Sequence, residues 1–107
     1  MTKKSKEFIK LIEDDIYNIL TTVMDPEIEI DIINLGLIYD LKYDGEKVNI
    51  LMTLSTPSCP LSDAIVQNIK ESIRNKHPDF IIEVEITFEP LWNADMISDQ
   101  GKEMLGM

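Results

Sequence analysis

The chain has 107 residues, enough for one domain (residues 1–107) with a single core and too few for two. Its hydrophobic fraction of 44% excludes global disorder, and no apolar run approaches the roughly 20 residues that a membrane-crossing helix needs. A formal net charge of −10, with the basic residues scattered except for a short N-terminal run, excludes the clustered lysine and arginine that nucleic-acid backbones require.

The first element in chain order is a helix over about Ser5 to Val23. Phe8, Ile12, Ile16, Ile19, Leu20 and Val23 fall at three- and four-residue spacings, with Lys10, Glu13, Asp14 and Asn18 elsewhere on the wheel. Asp25-Pro26 is expected to end it, because the residue before a proline avoids the helical region. Glu27 to Ile32 then alternates acid with isoleucine, the acids outward, as a short edge strand or an extended loop. Asn34-Leu35-Gly36 reads as a turn.

Two strands follow, Leu37 to Tyr43 and Lys47 to Ser55, around the hairpin signal Asp44-Gly45. Val48, Ile50, Met52 and Leu54 share one face of the second. Pro60 to Lys76 is a second helix with Leu61, Ala64, Ile65, Ile69 and Ile73 as its stripe, stopped by His77-Pro78. Phe80 to Phe88 is a third strand, with Phe80, Ile82, Val84, Ile86 and Phe88 on one face and Glu83, Glu85 and Thr87 on the other. Ala94 to Leu105 forms a C-terminal helix or ordered tail. The order α-β-β-α-β predicts an α+β fold, a two-layer sandwich with the helices on one face of a small sheet. Strand order does not follow from the sequence.

Cys59 is the sole cysteine and lies in Ser55-Thr56-Pro57-Ser58-Cys59-Pro60, between a strand pattern and a helix pattern. Pro60 suits the first helical position, which puts Cys59 at or beside the N-cap, facing free amide donors and the positive end of the dipole. That setting favours the thiolate, although a lone cysteine can equally be a small buried hydrophobe. Asp63, one turn on, limits the effect. With one cysteine there is no intramolecular disulfide, and a reducing cytoplasm is the expected compartment, no apolar signal-peptide core following the basic N-terminus.

A Cys–His dyad is disfavoured. His77, the sole histidine, lies at the opposite end of the helix that Cys59 begins, roughly 25 Å away at 1.5 Å per residue. It reads instead as a solvated residue favoured by the helix C-terminus. One cysteine cannot supply the three or four ligands of a stable zinc or iron–sulfur site. Asp25, Glu27 and Asp31 could add oxygen ligands, or form a solvated face. Thr53, Ser55, Thr56 and Ser58 either cap the loop or donate to a thiolate or bound sulfur, Thr56 being suited to both. Trp92 either anchors the core or walls a site.

Three stretches together resemble the small iron–sulfur cluster assembly domain of SufT, PaaD-type proteins and the eukaryotic cytosolic assembly targeting factors. They are Asp25-Pro26-Glu27 with Asp31-Ile32-Ile33-Asn34-Leu35-Gly36-Leu37-Ile38-Tyr39, then Thr53-Leu54-Ser55-Thr56-Pro57-Ser58-Cys59-Pro60-Leu61, then Glu89-Pro90-Leu91-Trp92. The resemblance runs from the first helix onward and is strongest to the stand-alone bacterial SufT type. It implies an accessory factor, not an enzyme, in the maturation of iron–sulfur proteins. Cys59 would be its reactive thiol and transient cluster ligand, with Asp25 and Glu27 nearby and Thr56 and Trp92 in support. The implied cofactor is a transient iron–sulfur cluster with no permanent group. The implied partners are the assembly machinery and apo-proteins, with a homodimer left open and no nucleic acid or membrane. PaaD-type proteins carry additional C-terminal cysteines that this sequence lacks, so a cluster-binding tail is not expected. A thiol redox protein acting through mixed disulfides, weakened by the want of a resolving cysteine, and a non-catalytic adaptor with a structural Cys59 are the competing readings.

Overall fold

A computed structural model describes residues 6–25, 30–54 and 62–106. Helix α1 (Lys6–Leu20) buries Ile16 and Leu20 completely and leans Ile9, Ile12 and Ile19 against the same core. Phe8, expected on the buried stripe, is 40% exposed at the outer end of the helix. The helix stops at Leu20, not at Asp25-Pro26. The hydroxyls of Thr21 and Thr22 donate to the carbonyls of Asn18 and Ile19, each at 2.6 Å, and so satisfy backbone groups locally. Val23 to Asp25 is thereby free to extend. Asp25 N–H donates to Ile30 O and Ile32 N–H to Val23 O, both at 2.9 Å, around the isolated bridge Met24–Asp31.

Strands β1 (Ile38–Tyr43) and β2 (Lys47–Met52) pair antiparallel, with an irregularity in register between Ile38 and Asp40. Asp44 organises their connection. One of its carboxylate oxygens accepts from the N–H groups of Glu46 and Lys47, and these bonds, the one from Lys47 foremost, hold its pKa below the usual carboxylate value. Gly45 takes the positive φ of 102° that the turn needs. Helix α2 (Ser62–Lys76) carries the chain across to β3 (Ile81–Ile86), which runs parallel to β2, so the sheet order is β1-β2-β3. A 3₁₀ turn (Ala94–Met96) and a short helix α3 (Asp99–Met104) complete the chain.

One face of the sheet is apolar and the other mostly polar, with Leu51 and the exposed Ile81 as its apolar members. Leu41 and Tyr43 from β1, Val48, Ile50 and Met52 from β2, and Ile82 from β3 are buried with Ile65, Ile69 and Ile73 of α2 and the α1 residues. Asp40, Lys42, Asn49, Glu83 and Glu85 occupy the exposed face. This is the expected two-layer α+β sandwich. Ala64, placed on the α2 stripe by spacing, is exposed instead, and Ile65, Ile69 and Ile73 make the contact at four-residue steps.

His77 corrects the sequence expectation of a solvated helix end. Its ring lies flat on Phe80, centroids 4.4 Å apart, and Phe80 in turn stacks on Tyr43 at 4.9 Å. His77 Nε2 sits 2.7 Å from one carboxylate oxygen of Asp15, and Lys76 Nζ donates to the other at 2.7 Å. This clasp ties the middle of α1 to the end of α2. The Lys76 hydrogen bond first, and the His77 contact second, hold the Asp15 pKa below its ordinary value. A carboxylate depressed in the folded state adds stability above its unfolded pKa, and that stability is lost as pH falls through the folded value. Asp15→Asn should therefore cost about 0.5–1 kcal/mol at pH 7, discounted for the exposed lysine. The difference from the parent should vanish well below about pH 4. Urea denaturation of both proteins at pH 7 and pH 3 checks this; a difference unchanged between the two would remove the electrostatic account.

Candidate functional site

The described parts of the three sequence stretches meet at one end of the sheet. A run of backbone hydrogen bonds joins the first two: Ile32 N–H to Val23 O at 2.9 Å, Leu37 N–H to Ile32 O at 3.1 Å, and Thr53 N–H to Leu37 O at 2.8 Å. The ribbon bearing Asp25, the start of β1 and the residues just after β2 are thus laid side by side. Thr87 N–H donates to Met52 O at 2.8 Å and brings in the end of β3. Because β2 and β3 are parallel, both run out at this end, the usual location for ligands in open parallel sheets.

The segment from Asp31 to Gly36 is built on buried polar groups. Asp31 is only 5% exposed, and its carboxylate accepts from Asn34 N–H at 2.9 Å and Asn34 Nδ2 at 2.7 Å. Ser98 donates its hydroxyl to Asn34 Oδ1 at 2.5 Å and its N–H to Asn34 O at 2.8 Å. The same hydroxyl accepts from Gly101 N–H at 3.0 Å and caps α3. Gly36, with φ at 77°, lies so close to the Met96 carbonyl that a Cβ there would collide with it. The turn expected at Asn34-Leu35-Gly36 is the docking point for the C-terminal segment.

Trp92 closes this corner. Its indole N–H donates to Leu35 O at 2.7 Å, while Tyr39 OH donates to Pro90 O at 2.8 Å. The ring is half-buried against the core cluster, so Trp92 both anchors packing and flanks the end of the sheet. The first and third sequence stretches are therefore in direct contact.

Asp25 and Asp31 are buried at 2% and 5% exposure, which overturns the solvated-face reading for both and the outward placement of Asp31. Buried carboxylates need partners, and for Asp31 those are the two Asn34 donors. Thr53 is fully buried at the site end of the sheet, and among the described residues its hydroxyl has no hydrogen-bond partner. An orphaned hydroxyl there is a standing cost in a fold that satisfies its neighbours. Cys59, Glu27 and Thr56 lie outside the described residues, as do Ser55, Ser58, Pro60, Leu61 and Met107. Among the described residues no group of three or more histidine, cysteine, aspartate or glutamate side chains could hold a metal ion. His77, with Phe80 and Tyr43, sits at the hairpin end of the sheet, opposite this corner.

Ser98 and Gly101 carry much of the architecture and were not singled out by the sequence, and Asn34 was read only as part of a turn and of the resembling stretch. Ser98 ahead of Asp99 is a local helix-start signal, but its bond to Asn34 spans 64 positions and has no local trace.

Comparison with known proteins agrees with this geometry. Residues 13–86 match the family model described as iron–sulfur cluster assembly protein. A Porphyromonas gingivalis protein named Fe-S protein maturation auxiliary factor is 38% identical over 104 residues, covering 95% of this chain and 97% of the relative. The Fe-S protein maturation auxiliary factor SufT of Staphylococcus aureus is 38% identical over 86 residues, 79% of this chain and 98% of that protein. A crystal structure of a domain of unknown function from Bacillus anthracis superposes with a TM-score of 0.90 at 32% identity, over 96% of this chain and 99% of the other. With the match running through the ribbon, the sheet and α2, this chain belongs to the iron–sulfur cluster assembly protein family.

Proposed function

We propose that the protein is an accessory factor in the maturation of iron–sulfur proteins, assisting the assembly of clusters or their transfer to apo-proteins through the Cys59 thiol. The cluster is cargo, held in transit. The role in maturation is supported by relatives named for it across nearly their whole length. Transit is supported by a further relative, an iron–sulfur cluster carrier protein of Synechocystis, 30% identical over 79 residues, which make up 74% of this chain and 22% of that protein. Auxiliary and carrier roles are those of a non-catalytic protein, and the partners they imply are the assembly machinery and its clients.

The observation that carries the reading is the meeting of the Asp25 ribbon, the Thr53 strand end and the Trp92 corner at one end of the sheet, Cys59 following Thr53 by six positions in the sequence. A single thiolate can hold one corner of a cluster and release it readily, because the remaining iron positions are filled by donor or client. A cysteine next to a helix start is favoured as thiolate, the form that binds iron. The buried Thr53 hydroxyl, on the residue immediately after β2, is a spare donor at the same end of the sheet. A thiol redox role is less well supported, because the chain has no second cysteine to resolve a mixed disulfide.

Two substitutions separate function from folding. Serine is itself a good helix cap, so Cys59→Ser should keep the denaturation midpoint, yet iron–sulfur enzyme activity in cells should fall under high cluster demand. Leu54→Ala removes a buried side chain and should do the reverse, costing about 2–5 kcal/mol of stability. If Cys59→Ser cells mature their enzymes as well as the parent, the thiol is structural and an adaptor role is the better account.

Thr53→Val replaces the orphaned hydroxyl with a methyl group of similar volume. Stability should hold or rise by up to about 1 kcal/mol, since no hydrogen bond is lost, while maturation in the same assay should drop. Destabilisation by this change would mean that the hydroxyl is paired within the fold and has no part in the site.

A further inference from the structure

The far edge of β3 is a hydrogen-bonding surface that the proposed function leaves unused. Ile81 N–H donates to Glu46 O at 3.3 Å and Thr87 N–H to Met52 O at 2.8 Å, so the odd-numbered residues of this strand face β2. Backbone groups of successive strand residues point to opposite sides. Ile82, Val84 and Ile86 therefore turn their N–H and C=O groups away from β2. β3 ends the sheet order, and among the described residues no hydrogen bond reaches those six groups. The opposite edge is treated differently: Glu13 of α1 accepts from Tyr43 N–H on β1 at 2.9 Å.

Edge strands are normally guarded by lysine, proline, a bulge or a cover, because an open row of donors and acceptors invites another chain. Ile81–Ile86 contains neither lysine nor proline, and its register with β2 is unbroken. Its guard is charge. Pairing two copies antiparallel through Ile82, Val84 and Ile86 allows three central registers. Centred on Val84, Glu83 opposes Glu85; centred on Glu83 or Glu85, that glutamate opposes itself. In each case like charges meet in non-hydrogen-bonded pairs, where side chains come closest. The edge is closed to a second copy and open to a strand of opposite charge. The ion pair of Glu83 with Lys47, at 3.3 Å, is exposed on both sides and too weak to withdraw that carboxylate.

We infer that the free edge of β3 docks an extended segment of a partner protein as a fourth strand, one with lysine or arginine at alternate positions facing Glu83 and Glu85. Main-chain bonds to Ile82, Val84 and Ile86 supply the affinity, and the two glutamates with the overall charge of −10 supply the selection. This surface is independent of Cys59, and its test reads binding alone.

The probe is a synthetic peptide of about eight residues alternating valine with lysine, against a peptide of the same residues in two blocks. Amide hydrogen exchange by NMR is the readout. In the free protein the amides of Ile82, Val84 and Ile86 should exchange fast and those of Glu83 and Glu85 slowly. The alternating peptide should slow the first three by about tenfold or more and leave the other two unchanged. Glu85→Lys, which spares the Lys47 pair, should weaken binding several-fold, and Glu83→Lys with Glu85→Lys by about tenfold or more. The inference is overturned if the three amides are already protected in the free protein, if the alternating peptide slows none of them, if the blocked peptide gives the same alternating protection, or if charge reversal leaves affinity unchanged.

Discussion

Asp31 is the residue on which the site end of the molecule depends. Its carboxylate is taken out of water and satisfied by both donors of Asn34. A buried carboxylate left without those donors would cost several kcal/mol, so the Asp31–Gly36 turn is held in one conformation. Asn34, fixed on one side, presents its own oxygens to Ser98 on the other. Through this relay a single buried charge sets where the C-terminal segment docks, and with it where the Trp92 ring stands.

The two ends of the sheet are organised by different physics. At the hairpin end, the Asp15 carboxylate bridges Lys76 and His77, partly open to solvent, and Phe80 stacks between His77 and the buried Tyr43. At the site end, part-buried side-chain bonds among Asp31, Asn34 and Ser98 run beside backbone bonds between segments, and among the described residues the buried Thr53 hydroxyl is left without a partner. Buried, fully bonded networks specify geometry more tightly than surface ion pairs do. The net charge of −10 is a long-range property that favours encounter with basic surfaces.

The edge of β3 follows the same division. Its exposed glutamates repel a second copy, while its unused backbone groups retain full hydrogen-bonding capacity. Specificity at such an edge lies in charge alternation, which a block of like charge cannot match.

Much of this protein was legible from residues alone. The alternation of Val48, Ile50 and Met52, the stripe of Ile65, Ile69 and Ile73, and the Asp44-Gly45 turn gave the elements and the two-layer α+β class, because burial periodicity is a local property. The order of residues around Asp25, Thr53 and Trp92 also marked out the family. What only the tertiary structure decided is how distant segments spend their polar groups. The helix ends at Leu20 because Val23 to Asp25 is needed for pairing with Ile30 to Ile32, and no local rule signals that demand. Asp25 and Asp31 are buried, and His77 is a clasp rather than a solvated cap, because their partners lie elsewhere in the chain or are fixed by the docked segments. Strand order and the open edge of β3 likewise depend on long-range hydrogen bonds. Sequence patterns report which side of an element is apolar; only the assembled sheet determines which backbone groups are left over.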